Sequence, residues 1–165
     1  MRAMIRWGFV VVLATAALVP FSAEAAIQGF MKVPGLLGES QNDRHKNEID
    51  VISYTQTSGN NACFKVIVIK NLDLASTGLA TLAVTNQVVT PITIVLETAG
   101  ESSREIFRAV LENVVIGTVE LVEVDGVPLP TERVTLRPRR ATLTYTPQDP
   151  RGGPGTPTTT VINCP

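Results

Sequence analysis

From residue 26 onward, apolar side chains recur mostly at every second position, the period of a pleated chain with one face against a core. Cys63 to Asn71 is the clearest case. Phe64, Val66 and Val68 alternate there with Ile67 and Ile69, which predicts a strand covered on both faces. Ile27 to Val33, closed by Pro34-Gly35, reads as a first strand and Glu48 to Tyr54 as a second. Thr55 to Ala62, with Gly59-Asn60-Asn61, reads as a turn or loop. Pro91 to Ala99 and Thr159 to Cys164 predict further strands, and Thr131 to Tyr145 another strand or strand pair, with Pro138 at a bulge or edge point. Arg104 to Val124 also suits a helix through Ile106, Val110 and Asn113. Its many valines would crowd χ1 there, so strands are expected, with a bulge or bend at Gly117. Only Asp73 to Gln87 favours a helix. Leu79, Leu82 and Ala83 form its stripe, and Ser76 or Thr77 is placed to cap its start. Gln148 to Thr158 is a Pro/Gly-rich surface loop.

About a third of the residues after position 25 are Val, Thr or Ile, side chains that suit a pleated surface. The predicted fold is mainly β: a compact antiparallel β-barrel with one short flanking α-helix, formed by residues 26–165 as a single domain.

The beginning of the chain follows a different pattern. Met1 to Gly8 carries Arg2 and Arg6 and no acid, and Phe9 to Val19 is almost unbroken in its hydrophobicity. That run is shorter than the roughly 20 residues needed to cross a bilayer. Ala23-Glu24-Ala25 supplies a small-residue site, so residues 1–25 read as a secretory signal peptide cleaved after Ala25. The expected product is exported, to the periplasm or the cell exterior, with no stable membrane insertion after cleavage. Cys63 and Cys164 would then meet an oxidising compartment, where two thiols in a short chain usually pair; two unpaired thiols are the alternative.

Composition narrows the function. The formal charge of -1 provides no basic excess for a nucleic-acid backbone. With one histidine, a site needing several His ligands cannot be built. The sequence shows no G-x-S-x-G, phosphate-binding loop, dinucleotide fingerprint or C-x-x-C, so no catalytic residue, cofactor or metal is assigned. His45 and Glu48 stand at H-x-x-E spacing, which is better read as a polar turn pairing with neighbouring strands than as a metal site. Arg137, Arg139 and Arg140 read as a solvated, charge-blunted strand edge.

Two separated stretches carry a more specific signal. Gly38-Glu39-Ser40, then His45, Glu48, Ile49 and Asp50, follow a G-E-S-x(4)-H-x(2)-E-I-[DE] pattern without a gap. Far downstream, Pro130-Thr131-Glu132-x-Val134-Thr135-Leu136 is followed by Tyr145-Thr146-Pro147-Gln148. Together with Leu111-Glu112-Asn113-Val114 and the predicted helix between the motifs, the chain resembles the haemolysin-coregulated protein (Hcp) family, the tube subunits of type VI secretion.

That resemblance implies a β-barrel with one helix and a non-enzymatic, structural role. It further implies a homo-oligomer, a hexameric ring that stacks into a tube, carries secreted effectors and meets a spike protein. The matched residues would set loops and register and perform no chemistry. The alternative is an exported, stand-alone binding module that keeps the barrel and does not assemble.

Overall fold

The computed structural model describes residues 26–59, 63–100, 102–128, 130–149 and 152–165. The signal peptide expected over residues 1–25, with its cleavage after Ala25, lies outside the described residues. In chain order the elements are β1 (Ile27–Lys32), β2 (Ile49–Val51), β3 (Ser53–Gly59), β4 (Cys63–Asn71), α1 (Ser76–Thr85), β5 (Val88–Val89), β6 (Ile92–Thr98), β7 (Glu105–Val122), β8 (Thr131–Tyr145) and β9 (Thr158–Asn163).

The strands run β2-β1-β6-β7-β8-β4-β3 around one antiparallel sheet, with β5 against β7 and β9 against β8. The ends of that path, β2 and β3, are separated in the chain only by Ile52, whose amide donates to the Ile69 carbonyl on β4 at 2.8 Å. The sheet therefore curls until its ends meet in one bent strand. Met31, Ile49, Val66, Ile94, Leu111 and Leu136 fill its interior. The helix lies against β7 and seats Leu79 in the core, with Leu82 and Ala83 half-buried beside it.

The long strands β7 and β8, of 18 and 15 residues, form a ribbon that changes its inward face partway along. Ala109 and Leu111 are buried before Asn113, and Val114 and Ile116 after it. Across from this point on β8 the buried side chains are Leu136 and Pro138 on one side of it and Ala141 on the other. Asn113 adopts φ 51°, a left-handed conformation that Asn tolerates and β-branched residues avoid. Asn113→Gly should leave stability nearly unchanged and Asn113→Val should cost about 1–2 kcal/mol in urea unfolding; equal effects would mean that the face change does not depend on this residue. Further along, Ile116 faces Leu136 while Thr118 faces Thr135, so Gly117 is the extra residue of the expected bulge.

β4 pairs with Thr131–Leu136 of β8 and β9 with Arg140–Tyr145, both on the same side. They lie end to end. Pro138, which has no amide hydrogen to give, falls in the gap between them. There Cys63, at the start of β4, is disulfide-bonded to Cys164, just after β9, with Cα atoms 5.6 Å apart, and the Cys164 amide donates to the Arg139 carbonyl at 2.7 Å.

The structure corrects several expectations. Thr55–Gly59 is strand rather than loop, paired residue for residue with β4; its Thr, Gln and Ser side chains are exposed, so no alternation marked it. Ile67 and Ile69 are only half-buried, so the second face of β4 is incompletely covered. Neither Ser76 nor Thr77 caps the helix. Its N-cap residue is Ala75, which has no side-chain acceptor, and the Ser76 hydroxyl is turned to other partners described below. The cluster of Arg137, Arg139 and Arg140 is exposed, as expected of a solvated edge, but only part of it lies at one: Arg140 is paired with β7 on one side and β9 on the other, whereas Arg137 is paired with β7 alone and faces the gap between β4 and β9. Tyr54 leans on Phe107 (ring centroids 5.4 Å apart), and burial pushes its phenol well above the ordinary 10.

Candidate functional site

The first motif folds into a closed loop. Gly38 donates to the Asn47 carbonyl (2.8 Å), Ser40 to the Glu48 carbonyl (3.0 Å), and Asn47 back to the Ser40 carbonyl (3.0 Å). Gly38 is required by space: a Cβ there would sit 2.3 Å from the Glu48 carbonyl oxygen. Backbone cannot yield as a side chain does, so Gly38→Ala should cost about 3 kcal/mol. A thermal melt should show it as a drop of roughly 6–12 °C, and an unchanged melting temperature would refute this packing. Ser40 is buried and accepts the Asn42 amide on its hydroxyl at 3.3 Å, whereas Glu39 is exposed. Ile49 enters the core on β2 opposite Met31, and Asp50, opposite Phe30, points to solvent.

His45 is held on three sides. Its ring stacks on Phe30 at 4.2 Å and 5°, Nδ1 meets Glu48 Oε2 at 2.8 Å, and Nε2 lies 3.5 Å from Glu97 Oε2. Glu97, on β6, is 1% exposed and also receives Arg44 Nη2 at 2.6 Å. Arg44 continues to the Ser103 carbonyl at 3.2 Å. The polar-turn reading of His45 and Glu48 thus matches their geometry, with the carboxylate of a neighbouring strand as the buried partner. Among the described residues, no group of three or more His, Cys, Asp or Glu is placed to hold a metal ion.

The second motif spreads along β8 and forms no single site. At its start, Glu132 joins a buried cluster centred on Lys70, which is 0% exposed. Lys70 Nζ donates to Glu132 Oε1 (2.8 Å), Asp73 Oδ1 (2.7 Å), Ser76 Oγ (3.1 Å) and the Asn71 carbonyl (2.7 Å). Ser76 Oγ donates to Glu132 Oε1 at 3.0 Å and accepts the Asp73 amide at 3.0 Å. Thr131 donates from its hydroxyl to the Val122 carbonyl, and the Leu72 amide donates to the Pro130 carbonyl at 2.9 Å. One cluster therefore ties together the ends of β4 and β7, the start of β8 and the start of the helix. At the far end of β8, Tyr145 is exposed, Thr146 donates to the Ile106 carbonyl (2.9 Å), and the Pro147 carbonyl accepts the Gly155 amide (2.8 Å).

The two ion clusters stand apart by most of the length of β7, since Glu97 is opposite Glu105 and Glu132 opposite Leu121. In each, every carboxylate has an oxygen on a nitrogen of Lys70, Arg44 or His45. Their chemistry is that of clamps on loops and strand ends. Lys70, Asp73 and Glu97 were not among the residues singled out from the sequence. Lys70 left a signal: it continues the inward series Phe64, Val66, Val68, where a cation needs a buried counter-charge. Glu97 left none: it shares the face of Val95, opposite that of Ile92 and Ile94, and is buried there with Arg44 and His45 of the first-motif loop on its carboxylate, neighbours far away in the chain.

Comparisons with known sequences and structures bear on the fold that carries these clusters. Residues 30–145 match the model of the family described as type VI secretion system effector, Hcp. No curated protein sequence matches significantly. Among solved structures, the chain is similar to Hcp1 from Salmonella typhimurium, with TM-score 0.73 and 22% identity over 84% of this chain and 94% of that one. It is similar to a type VI secretion system effector from Yersinia pestis, with TM-score 0.67 and 20% identity over 82% and 98%. Likeness to the secreted protein Hcp3 from Pseudomonas aeruginosa is of the same kind, with TM-score 0.67 and 15% identity over 85% and 99%. The shared fold and a family match over residues 30–145 lead to one conclusion: this chain belongs to the Hcp family of type VI secretion.

Proposed function

We propose that the chain is a non-enzymatic structural subunit that associates with copies of itself into six-membered rings, which stack into a tube and carry secreted effectors towards a spike protein. The observation that carries this reading is the family match over residues 30–145. Support comes from the surface: Val84, Leu121, Leu74 and Leu37 are 83%, 74%, 69% and 65% exposed on a fold whose core is already closed. Such side chains offer apolar area that a second copy would cover. In this reading the motif residues around Gly38, His45 and Glu132 keep loops and register fixed and do not touch a substrate. Residues 26–165 act as one domain, exported behind the leader of residues 1–25 to the periplasm or beyond. No helix among the described residues is long and apolar enough to cross a membrane.

Negative-stain images of the purified mature protein should show six-fold annuli, with light scattering giving the corresponding mass. A strictly monomeric species at high concentration would overturn ring formation. The Cys63–Cys164 bridge favours a second reading, an exported stand-alone module that keeps the barrel without assembling. That module would be monomeric in the same measurement.

A further inference from the structure

We propose that an apolar cleft at one end of the β7–β8 ribbon is the docking site for a second copy of this chain, which inserts the exposed Arg137 and Arg139 of its own β8. The inference rests on the self-association reading above and names the contact between neighbouring copies. The cleft, of about 310 Å³, is lined by Leu121, Val122, Val124, Val127 and Pro130. Leu121 is 74% exposed there. Leu72, 42% exposed and hydrogen-bonded to the Pro130 carbonyl, extends the apolar surface.

Charge identifies the occupant. Glu123 and Asp125, beside the cleft, are exposed and have no ion-pair partner among the described residues. Further along the same ribbon, Arg137 and Arg139 are also exposed and without such a partner, whereas Arg133 and Arg140 are matched to Glu120 (3.6 Å) and Glu112 (3.3 Å). Arg137 passes over the bulge, where a Cβ on Gly117 would come within 3.1 Å of its Nε. An arginine lays its methylene stem on apolar surface while its guanidinium reaches a carboxylate at the rim. One copy thus presents two unlike patches that are complementary to each other. A contact between them is heterologous and leaves each copy with one patch free for the next, the arrangement that generates a ring or a filament.

Charge reversal tests this by sedimentation velocity on the mature protein, with circular dichroism confirming the fold of each variant. Wild type should associate, and more weakly as salt rises. The pair R137E/R139E and the pair E123R/D125R should each weaken association at least tenfold. An equimolar mixture of the two should restore it, because each acidic patch then meets a basic one. Folded variants that associate like wild type, or a mixture that fails to recover, would overturn the docking site while self-association stands. A wild-type protein that stays monomeric would overturn self-association itself. If a glutamate pair fails to fold, R137Q/R139Q against E123Q/D125Q should give the same weakening, and wild-type-like association of those folded variants would overturn the site.

Discussion

Lys70→Met should destabilise the protein by about 3–5 kcal/mol, the range for removing one partner of a buried ion pair. Met has nearly the length of Lys, so the change removes the ammonium and leaves little cavity. What remains is worse than a lost bond. Glu132 and Asp73, with side chains 3% and 8% exposed, both aim an oxygen at the vacated position. Ser76 Oγ still donates to Glu132 and the Ala75 amide to Asp73, but neither supplies the lost positive charge. Urea unfolding of Lys70→Met, Glu132→Gln and the double variant would measure the coupling. The double variant should recover more than 1 kcal/mol of the summed losses, because neutralising Glu132 removes the stranded charge. A loss below about 1 kcal/mol in Lys70→Met would mean that the cluster is solvated. Because the same group of residues holds the ends of β4, β7 and β8 to the helix, amide exchange should rise in all four together.

The second large effect belongs to the disulfide. Cys63 and Cys164 are separated by 101 residues, and the chain-entropy estimate for closing a loop of about 100 residues is about 4.7 kcal/mol, from which native strain subtracts. The double variant Cys63→Ser/Cys164→Ser should therefore lose about 2–5 kcal/mol. The loss should have a location. Among the described residues β9 pairs only with β8, and most of its side chains are exposed, so little apart from the bridge holds its end to β4. Hydrogen exchange at Thr158–Asn163 should accelerate before that of the β7–β8 ribbon. Unreduced mature protein should weigh two hydrogens less than the reduced form, whereas two fully alkylatable thiols would refute the bridge. Destabilisation spread evenly over the sheet would refute the end-to-end splice of β9 onto β4.

Where alternation and punctuation agreed, strands were legible in the sequence. Cys63–Asn71 and Thr131–Tyr145 are strands with the expected boundaries, because one face of each meets the core and a turn signal stops each end. The Thr55–Gly59 part of β3 was hidden for the opposite reason: a stretch held by backbone pairing with its side chains in water has no periodicity to read. The helix stripe through Leu79 was readable, but its cap was not. The Ser76 hydroxyl is claimed by Lys70 and Glu132, the latter 56 residues away, and that competition exists only after folding. His45 and Glu48 could be paired from their spacing, whereas Glu97 meets them only because the loop folds over β1 and β6.

The order of residues alone determined the β class and the single helix, which depend on neighbours within a few positions, and the family resemblance, which depends on residue identities along the chain. Folding had to decide which charges are buried together, where β7 and β8 exchange faces, and that β4 and β9 meet at a bridge. Those outcomes depend on groups 50 to 100 residues apart being brought within bonding distance, as with Arg44 and Glu97 (53 residues), Lys70 and Glu132 (62) and the two cysteines (101). Strand spacing and burial, rather than any local preference, set those distances.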